Sequence, residues 1–174
     1  MGKVKEVDKA LLFIGILYTD EELLKNVVKE LKNEYGKTID YIKGIDFDVT
    51  DYYEDEMGKN IKKAFIVFEK LIDMENLSKI KLKTNNIEEK FQDTGNNRKI
   101  NLDPGYLTLS KIVLATTKNR GHRIYLGDGI FAEVTLYYYD NSYRSFDWTY
   151  PDFKKDKYIK FFNEIRKDYK EMIS

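Results

Sequence analysis

Residues Ala10–Leu17 read ALLFIGIL and Ala64–Phe68 read AFIVF, two unbroken apolar runs of strand length. A run with no polar alternation belongs to a strand buried on both faces. Around them the patterning changes. Ile39, Tyr41, Ile45, Phe47 and Val49 share one parity while Asp40, Asp46 and Asp48 take the other, and Arg98–Asp103 puts Ile100 and Leu102 on one side. These two stretches read as half-exposed edge strands. Between the first two strands, Thr19 and Glu22 have capping-box spacing, Leu24, Val27, Val28 and Leu31 form an apolar stripe, and Gly36 supplies a stop. A second helix is expected after Asp73 as N-cap, with Leu77, Ile80, Thr84, Ile87 and Phe91 on one face before Gly95.

The resulting order, β-α-β-β-α-β, is that of the ferredoxin-like unit, whose first and third strands are central. The two apolar runs fall at those positions. Such a sheet covers only one face with its own helices, so the C-terminal part of the chain is expected to cover the other. There, Asp103-Pro104-Gly105-Tyr106 reads as an N-cap with proline at the first helical position, and Leu109, Ile112, Val113 and Thr116 continue at helical spacing, a reading preferred over a strand. Asp128-Gly129 between His122–Gly127 and Ile130–Tyr139 signals a type I′ hairpin. Tyr158, Phe161, Phe162, Ile165, Tyr169 and Met172 mark a C-terminal amphipathic helix. The expectation is one α+β domain over residues 1–174: a ferredoxin-like half extended by a helix, a β-hairpin and a C-terminal helix.

Composition narrows the function. Of 174 residues, 42% are hydrophobic and 14% aromatic, enough apolar surface to offset chain entropy and exclude disorder. Thirty Lys and Arg balance thirty Asp and Glu, so no global field exists to hold nucleic acid or an anionic membrane, and binding must come from a local patch. The absence of Cys excludes thiolate catalysis and Cys-based metal sites and fits a reducing cytosol. His122 is the single histidine, which excludes a multi-His metal site. The apolar run Ala10–Tyr18 falls short of the ~20 residues of a bilayer span. Glu6 and Asp8 interrupt the lysines that precede it, so a secretory leader is not read and a cytoplasmic location is expected.

The segments FDVTDYYEDEMG (Phe47 to Gly58), NLDPGYLTLSKIVLATTK (Asn101 to Lys118), HRIYLGDGIFAEVTL (His122 to Leu136) and WTYPDF (Trp148 to Phe153) resemble an uncharacterised bacterial family, a domain of unknown function. The resemblance spans roughly residues 10 to 165, and some members carry a GTP-binding label. This chain has neither a GxxxxGK[ST] phosphate loop nor an Asn-Lys-x-Asp guanine-reading motif. The resemblance implies a family and no mechanism.

Four constellations remain. Asp46, Asp48, Asp51, Glu54, Asp55 and Glu56 form an acidic segment, and Asp46, Asp48 and Asp51 are the candidate ligands for a hard divalent ion such as Mg²⁺. The bland alternative is a solvated loop leaving an edge strand. Arg98–Arg123 carries a local excess of +5, and Lys111, Thr116, Thr117, Lys118, Arg120 and Arg123 are the candidate contacts for a phosphate-bearing ligand. Its alternative is a basic turn balancing the acidic segment.

A two-residue hairpin loop would set Ile124 opposite Glu133 and His122 opposite Thr135, bringing His122 and Glu133 onto one face as a candidate acid/base pair. A three-residue loop would disband them, and a structural histidine is the alternative. The aromatics from Tyr137 to Phe153 suit base stacking or core filling. The favoured function is binding of a nucleotide, another phosphate-bearing small molecule or RNA at the basic segment. The alternatives are a divalent-metal-dependent phosphoryl-transfer or phosphodiester enzyme and a non-catalytic interaction protein. Proximity separates them, because acidic and basic segments lining one pocket favour an enzyme.

Overall fold

The computed structural model describes residues 2–174. In chain order its elements are β1 (Ala10–Tyr18), α1 (Glu21–Tyr35), β2 (Thr38–Asp46), α2 (Glu54–Met57), β3 (Lys62–Ile72), α3 (Leu77–Glu89), β4 (Ile100–Leu107), β5 (Lys111–Thr116), β6 (Arg123–Gly127), β7 (Ile130–Tyr139), β8 (Ser142–Ser145) and α4 (Asp156–Met172). Eight antiparallel strands form one sheet in the order β2-β3-β1-β4-β5-β7-β6, with β8 paired to β7. The two apolar runs, now β1 and β3, are antiparallel neighbours, with Ile14 opposite Ile66 and Ile16 opposite Ala64.

Alternation along β1 and β3 divides the core. Leu12, Ile14, Ile16 and Tyr18 pack with Ala64, Ile66 and Phe68 against Leu24, Val27 and Leu31 of α1 and Ile80 and Ile87 of α3. On the opposite face, Leu11, Phe13, Phe65 and Val67 meet Phe153 and the Tyr158, Phe162, Ile165 and Tyr169 face of α4. Each such aromatic or aliphatic side chain contributes roughly 1.5–3 kcal/mol on burial. The helix covering the second face is thus the C-terminal one.

Several expectations change. The sheet order differs from that of a closed four-strand ferredoxin-like sheet, because β4 is an interior strand that continues into β5 and the hairpin strands. The helix expected after Asp103 is the β4–β5 hairpin. Ile112–Ala115 is a short apolar run, and over so few residues the spacing of apolar positions does not distinguish a buried strand from a helix. Pro104 is accommodated because β5 pairs with β4 only over Gly105–Leu107. Gly105 is required in the strand, since a Cβ there would stand 2.5 Å from the Val113 carbonyl oxygen and 2.7 Å from Phe13 Cζ.

In β2 the expected alternation breaks at a bulge between Ile42 and Ile45, where Gly44 has φ 72°. The bulge lets Ile42 and Ile45 both face the α4 layer while Ile39 and Tyr41 stay exposed. The cap of α1 is Asp20, whose Oδ1 accepts the Leu23 N–H at 2.7 Å, one residue beyond the expected Thr19. Asp73 makes no side-chain cap, and a 3₁₀ turn over Met74–Asn76 leads into α3 instead.

Candidate functional site

Where β4 and β5 diverge, Ile100–Pro104 has no strand partner on the β5 side. Helix α3 supplies the missing partners. Glu88 Oε1 accepts the Leu102 N–H at 2.5 Å, and Lys81 Nζ donates to the Leu102 carbonyl at 2.8 Å. Backbone groups alternate sides along a strand, so position 104 also faces this gap, and proline's missing N–H breaks no pairing there. Lys81, Asn85 and Glu88 follow one another at helical spacing along α3 and, with Gln92 just beyond its end, line the cavity at this gap.

The cavity has a volume of about 730 Å³, within the size range of small-molecule sites. Strand residues Leu17, Lys63, Asn101, Asp103, Leu114, Thr116 and Glu133 line it, and Tyr52, Tyr53 and Glu56 enter from the acidic loop. Tyr150–Phe153 complete the wall from the segment before α4. The face of the sheet that α4 covers at one end therefore becomes polar at the other.

Lys63 is 3% exposed and Asp152 4%, with Lys63 Nζ donating to Asp152 Oδ2 at 3.3 Å. The ammonium also lies 5.3 Å from the ring centres of Phe65 and Phe153, which adds cation–π attraction to the ion pair. Gly15 makes room for it, because a Cβ there would stand 3.1 Å from Lys63 Cε. Arg98 joins Glu56 at 2.8 Å and Asn101 Oδ1 at 2.9 Å, while Asn101 Nδ2 donates to Asp103 Oδ2 at 2.6 Å. Lys81 stands 3.6 Å from Asp103. Among the described residues, Lys118 is the lining cation without a carboxylate partner, and its ammonium lies 4.3 Å from the Tyr52 ring centre.

Burial pushes the Glu88 carboxyl up to about 7, against the attraction of Lys81. Burial, with Asp103 nearby, also raises the Tyr53 phenol. Because the Glu88 value lies above its ordinary 4.5, the folded state holds the proton more tightly than the unfolded one. The associated stability is fully present below pH 4.5 and is lost as pH rises through about 7. Urea denaturation across this window is expected to show a loss of about 3 kcal/mol in the wild type that Glu88→Gln does not share. Parallel pH profiles for the two proteins would refute it.

Not every expected site residue reaches this cavity. Thr116, Thr117 and Lys118 line it, whereas Lys111, Arg120 and Arg123 do not. Arg123 donates to Glu133 Oε2, the Lys118 carbonyl and the Tyr150 hydroxyl at 2.9, 2.9 and 2.8 Å, so it braces the wall that presents Lys118. His122 Nε2 and Glu133 Oε2 meet at 2.9 Å.

The register behind that contact differs from the expected one. Asp128 and Gly129 have φ 55° and 77°, as the turn requires, but a bulge at Leu126 sets Arg123 rather than Ile124 opposite Glu133. Glu133 lines the cavity at 1% exposure, while His122 stacks on Trp148 at 5.1 Å and 17°. Phe146 stacks on the other side of Trp148, so this column of rings is largely self-satisfied.

The acidic segment is dispersed. Asp48 pairs with Lys155 at 2.6 Å and Glu56 with Arg98. Among the described residues no group of three or more His, Asp or Glu could hold a metal ion, so Asp46, Asp48 and Asp51 are not brought together as the ligand set expected for Mg²⁺.

Lys63, Lys81, Asn85, Glu88, Asn101 and Asp152 complete the site without having been singled out from sequence, while Asp103 was expected as a helix cap and Tyr150 as one of the aromatic cluster. Two signals were available. Lys63 shares the parity of Phe65 and Val67 on a central strand, and Lys81, Asn85 and Glu88 form a polar stripe beside the apolar face of α3.

Compared with known proteins, residues 8–169 match a family model described as Domain of unknown function (DUF4416). No curated protein and no solved structure matches. Among the described residues, no helix is long and apolar enough to cross a membrane.

Proposed function

Given that the chain belongs to this domain-of-unknown-function family, DUF4416, we propose that it binds a phosphate-bearing small molecule, a nucleotide, in the cavity between the acidic loop and the basic segment. One observation carries the reading: among the described residues Lys118 projects beside Thr116, Thr117 and Tyr52 without a carboxylate partner, whereas the other cations lining the cavity, Lys63, Lys81 and Arg98, are each paired with one. A phosphate there gains the unpaired cation and the Thr116 and Thr117 hydroxyls. The amides of Asn85 and Gln92, which line the cavity, suit the polar edge of a base. A cavity of this size fits a nucleotide better than a continuous RNA strand. The β2-β3-β1-β4 part of the sheet, with α1 and α3 packed on one face, supports reading the first half as ferredoxin-like.

Titration calorimetry with ADP tests the binding. Lys118→Glu is expected to weaken it at least ~10-fold, as is raising the salt from about 0.05 to about 0.5 M, whereas Arg120→Glu, outside the cavity, leaves it nearly unchanged. No binding of ADP at low salt, or equal affinity of the Lys118 variant, would rule the reading out.

A second reading, phosphoryl-transfer or phosphodiester chemistry, is favoured by the acidic loop and basic segment lining the same cavity. Among the described residues Asp46, Asp48 and Asp51 are not gathered into a group that could hold its ion. Turnover of ADP or a phosphodiester with and without Mg²⁺ separates an enzyme from a binding protein.

A further inference from the structure

Buried acids in this cavity differ in how they are neutralised. Glu133 has Arg123 and His122 within 2.9 Å, and Asp152 has Lys63 at 3.3 Å. Among the described residues Glu88, 8% exposed, has no ion pair. Its Oε1 accepts the Leu102 N–H, and its second oxygen makes no hydrogen bond within the protein. The charged groups facing it are Lys81 on its own helix, Asp103 of β4 and Arg98 from the segment before β4. Two of these are already engaged elsewhere, Lys81 with the Leu102 carbonyl and Asp103, and Arg98 with Glu56.

We propose that Glu88 is the proton-linked group of the pocket, taking one proton from solvent onto its carboxylate when an anion enters. The proposal rests on the anion-binding reading above. An entering phosphate adds negative charge to a cavity whose other buried carboxylates hold their own cations, so protonation of Glu88 is the least costly adjustment. The protonated carboxyl keeps its bond from Leu102 on one oxygen and gains an O–H donor on the other, which serves as a hydrogen-bond donor to the ligand. The raised proton affinity of Glu88 agrees, since a group half-ionised near pH 7 responds strongly to one added charge. Glu88 therefore sets the pH range over which the cavity accepts an anion, which is held more tightly in acid than in alkali.

Titration calorimetry with ADP near pH 7, in buffers of different ionisation enthalpy, measures the protons taken up on binding. The wild type is expected to take up about half a proton more than Glu88→Gln, the difference removing the nucleotide's own ionisation. Glu88→Gln is expected to bind ADP at least as tightly as the wild type at about pH 8.

A readout independent of the variant's folding is the carboxyl ¹³C titration of glutamate-labelled wild type. One carboxyl should titrate near 7 without ligand and move upward with ADP bound. Equal proton uptake by both proteins, or a midpoint that ADP does not move, overturns the proposal while leaving the binding reading intact. No ADP binding by wild type overturns both.

Discussion

Phe65→Ala is expected to lower the unfolding free energy by about 3–5 kcal/mol, the range for removing a fully buried phenylalanine. Phe65 is 0% exposed and stands at the centre of the layer between the sheet and α4. Its ring meets Tyr158 at 4.9 Å, Phe162 at 5.1 Å, Phe153 at 5.7 Å and Phe13 at 6.2 Å edge-on, and stacks on Phe161 at 5.9 Å. These neighbours come from β1, the segment before α4 and α4 itself, so none closes the cavity without moving another. Urea denaturation followed by circular dichroism measures the loss. A change under about 1 kcal/mol would mean that the aromatic layer repacks freely and does not hold α4 to the sheet.

Asp152→Ala is expected to cost about 3–5 kcal/mol, because it leaves the Lys63 ammonium buried without its counter-charge. The Phe65 and Phe153 rings retain only part of the lost attraction. The double variant Lys63→Met, Asp152→Leu should recover most of the stability, since an apolar pair of similar volume avoids desolvating two charges. Recovery would show that the pair is kept for the cavity rather than for stability. A single-variant cost below about 1 kcal/mol would mean instead that Lys63 reaches water through the cavity.

The strongest local patterns were legible. The unbroken apolar runs of β1 and β3 required cover on both faces, and the C-terminal stripe through Phe162 and Tyr169 supplied it. Asp128-Gly129 announced its turn through positive φ at both positions. The β4–β5 hairpin was not legible as such. Asp103-Pro104-Gly105 carries helix-start chemistry, and only the unpaired side of β4 and the Phe13 ring over Gly105 explain why proline and glycine sit in an interior strand. His122 reaches Glu133 from the turn before β6, while a bulge that no two-residue turn rule contains sets Arg123 opposite Glu133.

The candidate site divides along the same line. Local sequence is enough to mark Thr116, Thr117 and Lys118 as polar groups in a basic stretch, because charge and hydrogen-bonding capacity belong to the residues themselves. It also specifies which strands must be buried, since an apolar run pays its solvation cost wherever it lies. Which cations remain free is a property of the folded chain alone. Arg98 meets Glu56 across 42 positions and Lys63 meets Asp152 across 89, and these long-range pairings neutralise charges that read from the sequence as available. Glu88 stays unpaired for the converse reason: α3 presses it against the free edge of β4, where its partner is a backbone N–H and not a cation.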